Sequence, residues 1–323
     1  MNELNNVIND ELIDLLIKYR NITGYLFPIG KVKSINNEEL IKRIKICISE
    51  KKRYDLKLFK LNNIQIMTDD VFEKIIPLIK QNMEEVNYDY INKSKEIINI
   101  INLRKCGKKF SFSEHLSALI FTLLNNNRWG DTNIKENKSK IYSIFHDFDK
   151  NYLKLVDPNE LINELKKLHC SNPAIKKQLY ALSYNINILE KIEEEHNSLD
   201  EFILKNDPND IAICFSEGKY KLKQVGKAIT FDYLKMVGID CCKYSIQIGR
   251  LFGKNRLAIV SNEIATFEQI LSIIKKLSKI NKISEIEIEL ILQQFCLSKS
   301  ANICGEFPQC EKCRLKSICN YNK

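Results

Sequence analysis

Four cysteines crowd the end of this chain: Cys304, Cys310, Cys313 and Cys319, separated by five, two and five residues. Thiolates share an inorganic centre only if the backbone can bring them within a few ångströms. A sixteen-residue stretch containing one Cys-x-x-Cys pair does this without strain. Structural zinc usually takes two tight pairs, whereas here one tight pair stands between two wider gaps, which suits a [4Fe–4S] cluster. Zinc and free thiols are the alternatives. The other seven cysteines are scattered (Cys47, Cys106, Cys170, Cys214, Cys241, Cys242 and Cys296) and read as small buried hydrophobes. Lys312, Arg314 and Lys316, interleaved with the ligands, could meet phosphate or simply face water.

A second chemical feature is charge. The chain carries +9 overall. From Lys219 to Lys254 eight bases (Lys219, Lys221, Lys223, Lys227, Lys235, Lys243, Arg250, Lys254) face two acids, Asp232 and Asp240, for +6. Concentrated positive charge attracts a phosphate backbone through Coulomb energy and counterion release. A solvated lysine-rich face is the bland alternative. Inside this segment, Leu222-Lys223-Gln224-Val225-Gly226-Lys227 precedes the helical run AITFDYLKMVG. A tight turn between helices offers backbone N–H groups to a phosphate, and glycine permits both the turn and the close approach.

The cysteine spacing resembles the iron–sulfur loop of the endonuclease III family of DNA glycosylases, in which the first gap is six residues where this chain has five. Pro308 ahead of the second ligand and Asn320-Tyr321 after the last extend the likeness. The family places a helix-hairpin-helix upstream of its cluster, in the form hydrophobic-x-Gly-hydrophobic-Gly. Gly226 supplies the second glycine and Gln224 replaces the first. Counting on from Gly238, the register reaches Arg250 at the family's arginine, but Ser245 stands at the catalytic Asp and Gln247 at the His. Upstream, Leu124-Asn125-Asn126-Asn127 puts Asn127 where the family has a glutamine that fills the space of a flipped base. Arg128 and Trp129 follow it and could pair or stack there.

The resemblance covers roughly residues 100–323 and implies cleavage of an N-glycosidic bond. A carboxylate would stabilise the positive charge that builds on the sugar. In the bifunctional members a lysine of the turn attacks the anomeric carbon and forms a Schiff base. Lys227 lies one residue before that lysine's position, which Ala228 fills. The candidate catalytic residues are Lys227 and Ser245, which the resemblance points to, and Asp240, an acid of the same segment that could substitute for the missing carboxylate. Asp232 is a further acid within reach in sequence, read as a face residue, and Asp240 also reads as a helix cap. For DNA contact it points to Gln224, Val225, Gly226, Lys227, Asn127, Arg128, Arg250, Lys312 and Arg314.

The elements that must position these groups read as almost entirely helical. Ser111–Glu114, Ser198–Glu201 and Ser284–Glu287 have the capping-box form, and Asp157-Pro158 and Asn172-Pro173 pair an N-cap with a first-turn proline. The last is expected to open one long helix reaching about His196. Residues 1–95 read as a separate small α+β module. It has helical periodicity over 3–20 and 38–51, a hairpin suggested by alternation of Leu56, Leu58, Ile64 and Ile66, and a helix from about Asp69 that Pro77 should kink. Residues 96–323 are expected to be mainly α: a helix-hairpin-helix, glycosylase-like helical barrel (hairpin about 215–238) with an iron–sulfur domain (loop 304–319).

No run of eighteen apolar residues occurs, and the acidic N-terminus is unlike a secretory signal. The expectation is therefore a cytoplasmic, nucleoid-associated monomer that binds double-stranded DNA without a membrane and excises a damaged or modified base, with or without strand scission. The rival is a DNA-binding protein that recognises lesions or structure without cleavage, since Ser245 stands where the family has its Asp. A third reading has residues 1–95 bind RNA or another protein.

Overall fold

The run from Phe112 to Leu124 is mostly apolar beyond its first turn, and such a helix is stable only when packed inside a protein. Ser111 starts it: its hydroxyl accepts from the Glu114 N–H, and the Glu114 carboxylate accepts from the Ser111 N–H. In the computed structural model, which describes residues 10–23, 41–42, 44–45, 47–48, 69–125 and 132–321, this helix lies buried from His115 to Leu124 except at Ser117. Its neighbours assemble around it into a mainly helical chain, with no strand among the described residues.

The chain divides into two compact units, Met1–Ile64 and Gln65–Lys323. In the first, helix α1 spans Asp10–Thr23. The hairpin expected around Leu56–Ile66 lies outside the described residues, as do Asn127, Arg128 and Trp129.

In the second unit α2 covers Asp69–Glu85 and runs through Pro77 without a break, α3 covers Tyr90–Lys105, and α4 is Phe112–Leu124. Short helices follow: α5 Thr132–Glu136, α6 Lys138–Ile144, α7 Lys150–Leu155 and α8 Pro158–Lys167. Next come α9 Ile175–Tyr180, α10 Leu182–His196, α11 Leu199–Lys205 and α12 Pro208–Ser216. The last four are α13 Lys227–Met236, α14 Ile246–Phe252, α15 Phe267–Asn281 and α16 Glu285–Cys296. The single helix expected to open at Asn172-Pro173 and reach His196 instead starts at Ile175, with Ala174 at its N-cap, and is two helices because the chain breaks at Ala181.

The main core gathers apolar residues from Leu116 to Cys241, so it belongs to α4 through α13. Each fully buried Leu, Ile or Phe there contributes roughly 1.5–3 kcal/mol. The chain's distant segments meet elsewhere: α2 packs on α15 and α16, and α3 packs on α16 and α13. Ile97, Ile101 and Ile286 form a small core at that junction. The observed division at 64/65 therefore gives α2 and α3 to the larger unit, where the sequence placed residues up to 95 in a separate module. Burial against α15 and α16 is the physical reason.

Candidate nucleic-acid interface and metal centre

The segment between α12 and α13 has a glycine near each end, Gly218 and Gly226, and exposed lysines alternating with buried Tyr220 and Leu222 between them. At Gly218 an added Cβ would lie 2.7 Å from the Cys214 Cα, so only glycine lets the chain fold back there. The Leu222 N–H donates to the Phe215 carbonyl at 2.8 Å. Leu222 and Val225 are buried and fasten the turn to the core, leaving Lys223, Gln224, Gly226 and Lys227 exposed. Asn185 of α10, itself buried, clamps the turn from below. Its Oδ1 accepts from the Lys223 N–H at 2.7 Å and its Nδ2 donates to the Lys223 carbonyl at 3.0 Å.

Gln224 adopts φ +62°, the left-handed conformation that glycine takes without cost. Gly226 is extended and N-caps α13 with no side-chain hydrogen bond. Nothing lies within 4 Å of where its Cβ would be. The start of α13 thus presents backbone N–H groups, with the positive end of the helix dipole, to open space.

The +6 counted along this segment is reduced by acids from outside it. Lys227 Nζ pairs with Glu217 at 2.7 Å, and Lys219 pairs with Glu195. Lys223 lies over the Tyr184 ring at 4.0 Å, and Lys221 is exposed.

The other residues singled out by the register hold different positions. Ser245 is buried and N-caps α14: its Oγ accepts from the Ile248 N–H at 3.4 Å and donates to Gln247 Oε1 at 3.0 Å. Asp240 accepts from the Ile286 N–H at 3.0 Å, so it caps α16, the helix that leads to the cysteines. Asp232 is no solvated face residue. It pairs with Lys243 at 2.6 Å and stands 3.8 Å from Lys235, whose buried ammonium pairs with the buried Glu289 at 2.7 Å. Burial raises the Glu289 carboxyl, and the facing Lys235 opposes that rise.

The cysteine loop begins where α16 ends. The N–H groups of Ile303 and Cys304 both donate to the Phe295 carbonyl. Two short 3₁₀ turns, Cys310–Lys312 and Lys316–Ile318, shape the rest. Cys304 is buried and Cys310, Cys313 and Cys319 are half-buried. All four line one small concavity, together with Arg256, Pro308, Lys316 and Tyr321.

Among the described residues no three His, Cys, Asp or Glu side chains converge tightly enough to hold one metal ion.

Cys304 is drawn down to about 7 by a hydrogen bond from Cys296 and by Arg256 beside it, against the effect of burial. Burial pushes Cys313 up to about 11 and also raises Cys319. Arg250, half-buried, acts electrostatically on Cys296 and Cys304, and its Nε has no hydrogen-bond partner among the described residues.

α2 docks the loop. Buried Asn82 donates to the Lys312 carbonyl at 2.7 Å and accepts from the Arg314 N–H at 2.9 Å. The Arg314 guanidinium pairs with Glu85, while Lys312 is exposed. A second concavity, lined by His146, Tyr152, Glu160 and Lys167, lies on α7, α8 and the turn before them. Neither cavity includes Lys227 or Ser245.

Sequence reasoning passed over the polar network that braces α13. Arg104 of α3 donates through Nη1 to both Asp200 oxygens, at 2.7 and 2.9 Å, and through Nε and Nη2 to the Val237 carbonyl just past α13. Asp200 contacts His115 Nε2 at 3.1 Å, and His115 Nδ1 contacts the Tyr233 hydroxyl at 2.6 Å. Burial disfavours the Asp200 carboxylate, but hydrogen bonds from His115, Arg104 and the Phe110 N–H outweigh it and hold the group at about 2. Burial also lowers His115. One sequence signal was available: a histidine in the apolar run HLSALIFTLL needs partners for both ring nitrogens. The seven scattered cysteines are mostly buried, as read, but Cys106 is exposed and Cys214 half-buried.

No described helix is long and apolar enough to cross a membrane. Comparison with protein-family models, with curated proteins and with solved structures returned no match for this chain.

Proposed function

We propose that this chain grips double-stranded DNA through the turn at 222–227 and a cluster-bearing loop at 304–319, in an endonuclease III-like arrangement. The finer architecture belongs to the same proposal: a glycosylase-like helical barrel, an iron–sulfur domain and a small α+β N-terminal module. The observation that carries the reading is the turn itself. Gln224 holds the left-handed conformation where the family has glycine, and an uncapped helix start opens directly behind an exposed Gly226. Such a turn binds a phosphate through backbone N–H groups and so carries no sequence preference of its own.

Cys304, Cys310, Cys313 and Cys319 would hold the [4Fe–4S] cluster. They line one cavity, and a buried guanidinium is aimed at one of the sulfurs, which suits an anionic centre. When bound, the cluster supplies a rigid cross-link between four points of a loop that has little secondary structure. Lys312, exposed between two of the ligands, then faces the same duplex.

In the base-excision reading Lys227 attacks the anomeric carbon of an extruded nucleotide as its N-glycosidic bond breaks, the bonding pair leaving on the base nitrogen, which is then protonated from water. Its ammonium must first leave Glu217 and lose a proton. The non-cleaving reading has a specific observation in its favour: Ser245 Oγ is committed to capping α14, and Asp240 to capping α16. Neither is set to stabilise charge on a sugar.

Gel-shift titration of the purified protein on plain, abasic, uracil-containing and oxidised-base duplexes tests the grip. Lys223→Ala should lower the slope of log affinity against log salt by about 0.9. Binding that ignores salt and survives Gly226→Asp would sink the proposal. Borohydride trapping on the same substrates decides the chemistry. A covalent adduct lost in Lys227→Gln supports excision with lyase action, and tight binding without adduct or base release supports recognition alone.

A further inference from the structure

Arg256 is buried, at 6% exposure, and no carboxylate pairs with it among the described residues. A guanidinium cannot lose its proton, so a buried one needs another source of negative charge. Its Nη1 donates to Cys304 Sγ at 3.0 Å and to the Cys304 carbonyl at 2.7 Å, and its Nη2 donates to the Gly305 carbonyl at 2.7 Å. Its own main-chain carbonyl accepts from the Asn320 N–H at 2.7 Å, one residue beyond Cys319. One residue therefore ties the first sulfur ligand to the residue after the last.

The turn that carries Arg256 is built to hold it. The Arg256 N–H donates to the Gly253 carbonyl, Ala258 takes φ +53°, and a Cβ at Gly253 would lie 1.9 Å from the Glu263 carbonyl oxygen. The Tyr321 ring lies 5.7 Å from the guanidinium carbon.

We infer that Arg256 is the positioning residue of the cysteine loop: it holds both ends of the loop closed and keeps a hydrogen bond to the Cys304 sulfur when that sulfur binds iron. The inference rests on the cluster proposed above. A hydrogen bond to a ligand sulfur, with a buried positive charge behind it, favours the more reduced cluster and raises its reduction potential. The same contacts slow ligand release, because Cys304 cannot swing away while Gly305 and Asn320 are held.

The full chain, purified anaerobically, is assayed as wild type, Arg256→Met and Arg256→Lys. The readouts are iron and sulfide content, far-ultraviolet circular dichroism, voltammetric reduction potential, and the rate at which a chelator bleaches absorbance near ~400 nm. Wild type should carry about four irons per chain. Arg256→Met should lose them at least tenfold faster at unchanged helix content, with a more negative potential in the loaded fraction. Arg256→Lys keeps the charge but cannot reach the sulfur and both carbonyls together, so it should fall between the two.

A loaded wild type whose Arg256→Met variant matches it in potential and bleaching rate overturns the inference and leaves the cluster standing. A wild type that binds no iron overturns both. If Arg256→Met does not fold, Arg256→Lys decides: a wild-type potential and rate there overturn the inference.

Discussion

Replacing Asp200 with Asn removes the charge shared by Arg104, His115 and the Phe110 N–H. Both side chains of the Arg104–Asp200 pair are only 7% exposed, so solvent screens the pair little. Moving a carboxyl from 3.8 to about 2 corresponds to about 2 kcal/mol of folding stability. Because the folded pKa is the lower one, that stability is complete above pH ~4 and disappears as pH falls towards ~2. His115 adds acid sensitivity of the same sign: its pKa is also lowered, so stability falls as pH drops below 6.5.

At neutral pH the substitution costs more than the titration alone, since it leaves a buried guanidinium without its counter-charge. A loss of about 3–5 kcal/mol is expected. Urea unfolding of Asp200→Asn and wild type at pH 7, followed by circular dichroism, measures that loss. Carbon-detected NMR of the Asp200 carboxyl measures the titration. An Asp200 that titrates near 3.8, or a variant within about 1 kcal/mol of wild type, would refute the claim that this network braces α13.

Three further outcomes follow from the contacts around α13. Gln224→Gly should stabilise the chain by about 0.5 kcal/mol, as relief of the left-handed strain exceeds glycine's added chain entropy. A lower midpoint in thermal unfolding would count against that backbone geometry. Asn185→Ala removes both hydrogen bonds to Lys223 and should cost about 2 kcal/mol, together with weaker DNA binding in a gel shift. Unchanged affinity would detach the turn from the interface. Lys235→Met leaves Glu289 buried without its partner and should cost about 3–5 kcal/mol. Lys235→Met with Glu289→Leu should recover most of that in urea unfolding, and a double variant no better than the single would contradict the pairing.

Helix starts were the most legible part of the sequence, because a cap is a local contract between residues two or three apart. Ser111, Asp157, Ser198 and Ser284 each cap the helix expected of them. Thr266 and Gln269 form a further reciprocal box that the reading passed over. What could not be read were contacts between distant segments. Asn82 meets Lys312 across 230 positions, and Arg104 meets Val237 across 133. No periodicity announces such a pair, and the boundary expected at 95 moved for this reason. α2 looks like part of an N-terminal module until its packing on α15 and α16 and its hydrogen bonds to the cysteine loop are seen.

The same difference between local and distant information governs the chemistry proposed for this chain. A sequence register can say that Ser245 stands at an acid's position, but it cannot say whether a second acid has taken over from elsewhere. Each acid near that register is already engaged. Asp240 caps α16, Asp232 answers Lys243 and Lys235, and Glu289 answers Lys235. Moving any of them toward a bound sugar would leave a helix start or a buried ammonium unsatisfied, at a cost of roughly 1–5 kcal/mol. That cost is a sizeable part of the barrier lowering one electrostatic contact supplies in catalysis, about 3–4 kcal/mol. Base excision that drew on Asp232, Asp240 or Glu289 would therefore break a helix cap or a buried pair, whereas recognition without cleavage requires no rearrangement of these acids at all.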